Sequence, residues 1–404
     1  MSNFGGPRSN VIVTLPATTV LLNRIINAAL SETVLDRLPI SREIKRLARE
    51  AGFDLVGIAS AADTIEHEFF LAWIASGQAG EMGYLKSRND AGELKRSSLR
   101  QAAPWARSIV VCAIDYNTDQ PYSTHAGSTT QGWISRYAWM RDYHDVLLPR
   151  LRKLEADFVA MCVQSDLGAP RTWCYVDTGP VIERIFAKYA GVGWIGKNTC
   201  ILNQDLGSWL FLGVMLSSVE LSPDTPPPDR CGSCTRCLDA CPTNAFPAPY
   251  QLDSTKCISY LTIEKRGRIP QELRPGIGRQ VFGCDICQDV CPWNRRAPIT
   301  SIAEFEALGT LVNPELEWLA SLDLEQFRET FRGTPVKRAR LIGLLRNVAI
   351  AMGNSGEERF ITVLQELAQH PDADVAESAE WAIHNLHSRT KRPSSSNSTS
   401  TPND

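Results

Sequence analysis

Cys231, Cys234, Cys237 and Cys241 follow one another as C-x2-C-x2-C-x3-C, with Pro242 behind the last. Thiolates at this spacing wrap the corners of a four-iron, four-sulfur cubane, so the run predicts one-electron redox chemistry. A second set lies downstream: Cys257 stands alone, and Cys284, Cys287 and Cys291 close a run that again ends in Cys-Pro. Two 4Fe-4S clusters need eight thiolates, and these residues supply that number with none left over. A pair of zinc sites is the competing reading, because four-cysteine zinc modules also use C-x2-C pairs. A third cysteine close behind each pair, followed twice by Cys-Pro, speaks against zinc.

In two-cluster ferredoxins the fourth cysteine of one run serves the other cluster. That crossover assigns Cys231, Cys234, Cys237 and Cys291 to the first cluster and Cys241, Cys257, Cys284 and Cys287 to the second. The other four cysteines, Cys112, Cys162, Cys174 and Cys200, stand in apolar settings and read as buried structural thiols. Disulfides are not expected, since no secretory signal precedes the cysteines and a reducing cytoplasm leaves thiolates to metals.

Clusters alone only pass electrons, so bond chemistry is sought upstream. The segment Arg136 to His144 gathers basic, aromatic and acidic groups ahead of a long helix, and Asp177-Thr178-Gly179-Pro180 joins a strand to a helix. Taken alone, Asp177 reads as the N-cap of that helix.

The elements that must position these groups alternate. Ser41 caps a helix from Arg42 to Ala51; a strand over Asp54 to Ala59, a helix over Asp63 to Ser76 and a strand over Ser108 to Ile114 follow. A long helix then covers Tyr143 to Gln164, with Pro149 as a kink. Next come a strand over Thr172 to Val176, a helix over Pro180 to Tyr189, and strands near Thr199 to Leu202 and Ser208 to Leu216. This pattern predicts an α/β or α+β domain over residues 36–221, after a poorly ordered extension at 1–35. Ser222 to Asp229, with four prolines, is a linker into the cluster domain, residues 222–300. Apolar periodicity over Val336 to Met352, Glu357 to Ala368 and Asp374 to His387 predicts a helical, HEAT-like domain at 301–388. A disordered tail is expected at 389–404.

The 404 residues suffice for two or three domains, and 43% hydrophobic content supports real cores. A net charge of -3 excludes a globally basic nucleic-acid binder but leaves room for local patches. Lys265, Arg266, Arg268, Arg295, Arg296, Lys337, Arg338, Arg340 and Arg346 are the candidates. The apolar stretch Val11 to Leu22 is interrupted by Pro16 and too short to span a bilayer; with the reducing setting of the cysteines a cytoplasmic protein is expected, and separately a monomer.

Several motifs recur in one order. Arg136-Tyr137-Ala138, Arg141-Asp142-Tyr143-His144 and Asp177-Thr-Gly-Pro-Val-Ile-Glu-Arg are followed by Gly193-Trp194-Ile195-Gly196-Lys197-Asn198 and both cysteine runs. Cys257-Ile258-Ser259-Tyr260-Leu261-Thr262, Gly283-Cys284-Asp285 and Leu344-Leu345-Arg346-Asn347 complete the set. Over roughly residues 36–388 the chain resembles the epoxyqueuosine reductases, cobalamin-dependent iron-sulfur enzymes of tRNA queuosine synthesis.

That resemblance implies a multidomain α+β protein: an α/β cobalamin-binding domain, a ferredoxin-type domain with two 4Fe-4S clusters, and a helical HEAT-like end that helps hold tRNA by its anticodon loop. It implies base-off cobalamin fed with electrons by the clusters, an unidentified low-potential donor, and Asp177 as proton donor to the epoxide oxygen. It places cobalamin contacts at Arg100, Met140, Asp177, Gly196, Lys197, Asn198, Ser259 and Asp285, with Met140 standing where relatives commonly have Gly. Contacts to tRNA fall to Lys265 and Arg266. The Asp-x-His-x-x-Gly pattern of histidine-ligated cobalt is absent, because Leu147 stands where Gly is needed; no histidine is expected below the cobalt, and His144 reads as structural. Two other readings compete with this one. A corrinoid iron-sulfur reductase of a small molecule, related to reductive dehalogenases, would lead with a twin-arginine signal and would not need the C-terminal helices. A ferredoxin-like electron carrier would not need the large domain ahead of the first cysteine run.

Overall fold

The computed structural model describes residues 38–125 and 127–390. The expected extension at 1–35, and the expected tail from 391 onward, lie outside the described residues. Helix α1 (38–50) already runs through Ser41, whose buried hydroxyl accepts the Ser222 N–H at 2.8 Å. Ser41 therefore fastens the linker to the first helix and does not cap it. After α1 come β1 (Leu55–Ser60), α2 (Glu66–Ala75), α3 (Leu99–Ala102), β2 (Ser108–Asp115), β3 (Trp133–Ile134) and α4 (Tyr143–Gln164). Then follow β4 (Thr172–Tyr175), α5 (Glu183–Tyr189), β5 (Trp194–Ile195), β6 (Ile201–Leu202) and β7 (Leu210–Ser217).

Four of these strands form a sheet in the order β1-β2-β7-β4, antiparallel at every pairing. The first domain is thus α+β, which corrects the α/β expectation. Strand and helix alternate along the chain, but alternation carries no information on strand direction. β7, last in sequence, inserts between β2 and β4 and runs against both. Successive residues of β2 face opposite sides: Val110, Cys112 and Ile114 pack with α1 and α4, while Ile109, Val111 and Ala113 pack with α5. The valine and isoleucine side chains among these each contribute roughly 1.5–3 kcal/mol on full burial, so the sheet is a firm base for the loops at its ends. At Gly57 of β1 a Cβ would lie 1.8 Å from the Ala190 carbonyl oxygen, and only glycine lets the end of α5 come that close.

The cysteine-bearing region holds α6 (Arg236–Asp239), α7 (Ile258–Ile263), α8 (Arg274–Ile277), β8 (Gln280–Phe282) and α9 (Ile286–Asp289). The C-terminal part is helical: α10 (Leu316–Ala320), α11 (Leu324–Thr330), α12 (Arg340–Ser355), α13 (Ile361–Leu367) and α14 (Ala373–Thr390). The helix expected from Val336 is broken. Pro335–Ala339 is a 3-10 turn, and Arg340 has φ 60°, so α12 starts afresh behind Arg338. The parts interleave: β3 pairs in parallel with β8, and Trp133, Ile134 and Trp139 pack in the same core as α12 and α14. Buried Asn347 donates to the Thr262 and Val281 carbonyls at 2.8 Å each, tying α12 to α7 and β8. Among the described residues no helix is long and apolar enough to cross a membrane.

Candidate active site

Asp177 sits in the loop between β4 and α5, at φ 61°, in a turn that the Thr178 N–H closes on the Val176 carbonyl at 2.7 Å. It is not an N-cap. Helix α5 starts only at Glu183, and its N-cap Ile182 has no side-chain cap. The loop is spent instead on turning Asp177 toward α4. The Tyr143 hydroxyl donates to Asp177 Oδ2 at 2.9 Å, Arg338 Nη2 lies 3.5 Å from the same oxygen, and His144 Nε2 lies 3.9 Å away. The carboxyl group keeps 50% of its exposure.

The neighbours are fixed in turn. His144 Nδ1 lies 2.8 Å from Asp142 Oδ1, and a carboxylate only accepts, so Nδ1 carries the proton. Nε2 is then free to accept from Arg338 at 3.4 Å. Burial would raise Asp142, but the bonds from His144 and Lys337 outweigh it and hold that carboxyl below the usual range. Burial and the Asp177 charge push the Tyr143 phenol up, which keeps it a hydrogen-bond donor. Arg338 also donates to the Tyr143 oxygen at 3.3 Å. Arg338, one of the candidate RNA-phosphate cations in the sequence, is carried into this site by the break ahead of α12.

Two cavities meet at Asp177. The larger, about 810 Å³, runs from α2 across the start of α5 to α7; Phe69, Trp73, Met82 and Tyr84 give it an apolar wall, and Ser259 and Cys257 lie at its cluster-domain side. The smaller, about 270 Å³, adds Tyr116, Tyr143, Phe211, Cys200 and Gln288. Asp177 and Glu183 line both. Burial, and then the Asp177 charge, push Glu183 up to about 8.

The thiols fall into two groups. Cys231 and Cys291 share an apolar pocket with Trp194 and Trp293. Burial and then neighbouring thiolates raise Cys237 to about 11, through Cys231 and Cys234, and Cys291 to about 11, through Cys237 and Cys231. In the other group burial and then Cys257 and Cys241 push Cys284 well up. Burial also acts on Cys287, behind its hydrogen bond with Cys200, and Cys284 and Cys257 add to it. Donors suited to thiolate sulfur are in place: Ala245 N–H reaches Cys241 Sγ at 3.3 Å, and the buried Trp194 Nε1 has no nitrogen or oxygen partner and lies beside Cys231. Among the described residues no three His, Cys, Asp or Glu converge closely enough for a single metal ion; the corners of a cubane stand farther apart. Cys200, read from the sequence as a buried thiol, is only half-buried and lines the smaller cavity.

The other expected contacts are distributed differently. Of the eight assigned to cobalamin, Asp177 and Ser259 line the large cavity. Arg100 is exposed on α3, and Met140 is fully buried in the core beneath Tyr143. Asp285 is enclosed, accepting from Trp133 Nε1 at 2.9 Å, the Arg136 N–H at 2.7 Å and the Ser135 hydroxyl. Lys197 Nζ donates to the Gly232 and Cys234 carbonyls at 2.6 and 3.0 Å, clamping the first cysteine loop. Asn198 Nδ2 donates to the Cys287 carbonyl at 3.3 Å, and a Cβ on Gly196 would strike Leu202 at 2.1 Å. These residues act on the cysteine loops and the strand pair β5-β6. Lys265 pairs with Glu81, and Arg266 donates to the Ile263, Arg338 and Ala339 carbonyls, so both expected RNA contacts turn onto the protein.

Known proteins share this architecture. Residues 96–178 match the family model described as epoxyqueuosine reductase QueG, and residues 230–294 match that of a 4Fe-4S double cluster binding domain. The epoxyqueuosine reductase of Pseudomonas aeruginosa is 40% identical over 354 residues, 86% of this chain and 95% of the relative. This chain belongs to the epoxyqueuosine reductase family. The Xanthomonas campestris member is 37% identical over 353 residues, covering 86% and 96% of the two chains. Among solved members, a crystal structure of an epoxyqueuosine reductase with a tRNA-Tyr epoxyqueuosine-modified stem loop superposes with TM-score 0.76 at 31% identity, covering 85% and 89%. A Bacillus subtilis epoxyqueuosine reductase, solved with its catalytic aspartate loop swung out of the active site, gives TM-score 0.75 at 31% identity, covering 85% and 90%. Family membership thus makes the chain an oxidoreductase with a double 4Fe-4S cluster domain.

Proposed function

We propose that this protein reduces epoxyqueuosine in tRNA to queuosine, with Asp177 as the group that protonates the departing oxygen. One observation carries the reading: Asp177 stands at the meeting point of two cavities, one of which ends at the cysteine-bearing region. Conversion of the epoxide to an alkene consumes two electrons and two protons and releases water. Cobalamin in the large cavity would supply the electron pair to the epoxide carbon, and the two clusters would supply it one electron at a time. The apolar wall and the size of the cavity suit a broad, flat-faced group of this kind.

The chain's own residues do the rest. Asp177 delivers the first proton at the oxygen, and solvent supplies the second. Tyr143 and Arg338 aim the carboxyl group, and His144, locked by Asp142, holds Arg338. The eight cysteines ligate the clusters in the crossed arrangement, with Lys197 and Asn198 holding the loops that carry them. HEAT-like packing of α12, α13 and α14 backs the substrate face, and exposed Arg295, Arg296 and Arg340 are its phosphate contacts in the cytoplasm. The test is Asp177→Asn: the variant should bind cobalamin and both clusters at parent levels and convert no epoxyqueuosine, whereas full turnover would remove Asp177 from the reaction.

A further inference from the structure

Glu183 belongs to the same motif as Asp177, yet the reaction above gives it no task. It is the first residue of α5, and its Oε1 accepts the Asp177 N–H at 2.7 Å, six positions back along the chain. Asp177 needs such a partner. A turn whose central non-glycine residue has positive φ is rare and strained. The loop is also drawn tight onto Tyr175, since a Cβ on Gly179 would lie 2.1 Å from its ring. Relaxing φ to a negative value would swing the Asp177 carboxyl away from Tyr143 and Arg338.

We propose that Glu183 is the positioning residue of this site: it latches the Asp177 backbone in the strained turn, so that the carboxyl group faces the substrate only while that bond is made. The inference rests on Asp177 being the proton donor. Burial, with Asp177 opposite, keeps Glu183 neutral at pH 7, and the neutral group accepts through its carbonyl oxygen without repelling Asp177. Arg96 and Arg184 oppose the rise in its pKa without outweighing burial, and Tyr175 is its other titratable neighbour.

Two variants separate reach from charge. Glu183→Gln keeps an oxygen at the same distance, while Glu183→Asp keeps the carboxyl group but draws it back by one methylene. The latch predicts turnover of epoxyqueuosine tRNA within about threefold of the parent for Glu183→Gln. For Glu183→Asp it predicts a kcat lower by about tenfold or more at unchanged KM, the effect of one lost hydrogen bond at a strained turn. Amide hydrogen exchange in the peptide spanning 176–182 should quicken in Glu183→Asp and stay at the parent rate in Glu183→Gln, with iron content and cobalamin binding constant in both. An active Glu183→Asp beside an inactive Glu183→Gln, or unchanged exchange in Glu183→Asp, overturns the latch. Asp177→Asn measured alongside keeps the two readings apart. Full turnover in that variant defeats the acid assignment, whereas an inactive Asp177→Asn beside a fully active Glu183→Asp defeats only the latch.

Discussion

Arg346→Met separates a structural arginine from an RNA contact. Arg346 is only 2% exposed, and its guanidinium donates to the Leu261, Lys265 and Gly267 carbonyls at 2.8, 3.0 and 2.6 Å. Burial lowers it to about 10, which leaves it charged at neutral pH. Hydrogen bonds from a charged group contribute about 1.5–3 kcal/mol each, and stranded buried acceptors cost about 1–3 kcal/mol. The terms overlap and water can reach part of the loop, so we expect a loss of about 4 kcal/mol. At about 2–4 °C per kcal/mol this lowers the melting temperature by roughly 10 °C. Thermal unfolding of the anaerobically prepared holoprotein measures that, and tRNA binding across a salt series measures the alternative. Each phosphate contact contributes about 0.7–0.9 to the salt slope; the buried position predicts an unchanged slope. A parent-like melting temperature combined with a slope reduced by about one would refute this reasoning.

Three further outcomes are expected. Lys197→Met removes the ammonium that bridges the Gly232 and Cys234 carbonyls, so a chelator should strip iron from the first cluster several-fold faster while the second persists, as followed by iron release and cluster absorbance. Asp115 is 3% exposed and raised from 3.8 to about 7, by burial first, with Asp54 adding and the Asn117 N–H and Arg136 opposing. The folded chain therefore holds a proton that the unfolded chain has released: this contribution is full below about pH 4 and is lost as pH rises through about 7, on the order of 4 kcal/mol, so Asp115→Asn should flatten the stability profile over that window in denaturant titrations. Arg338→Met, which removes the cation shared by Asp177, His144 and the Tyr143 oxygen, should lower kcat about tenfold and leave tRNA affinity within twofold in a binding titration.

Legibility in the sequence followed the locality of the cause. Both ends of α4 were readable because Asp142 caps it through the His144 N–H and apolar residues keep a helical period up to Gln164. β2 was readable as an unbroken apolar run, and the cysteine spacing spoke for itself. The direction of the sheet was not, since it depends on β7 returning from far along the chain to lie between β2 and β4. Arg338 looked like one cation in a basic run, and only the positive φ at Arg340 and the fold around it bring Arg338 to Asp177. Glu183 was in view inside the motif, but its role rests on a bond that exists only once the loop has folded. Lys197, Asn198 and Asp285 stood out only through the motif resemblance, as cobalamin contacts; their hydrogen bonds to the cysteine loops and to Trp133 and Arg136 exist only in the folded chain.

The central claim is most directly tested by incubating the purified chain, loaded with cobalamin and reconstituted clusters, with a low-potential reductant and tRNA carrying epoxyqueuosine, then analysing the nucleosides by mass spectrometry. The account predicts conversion to queuosine, with loss of one oxygen atom, in the parent and none in Asp177→Asn. Epoxyqueuosine left intact by a parent enzyme of full cluster and cobalamin content would contradict it.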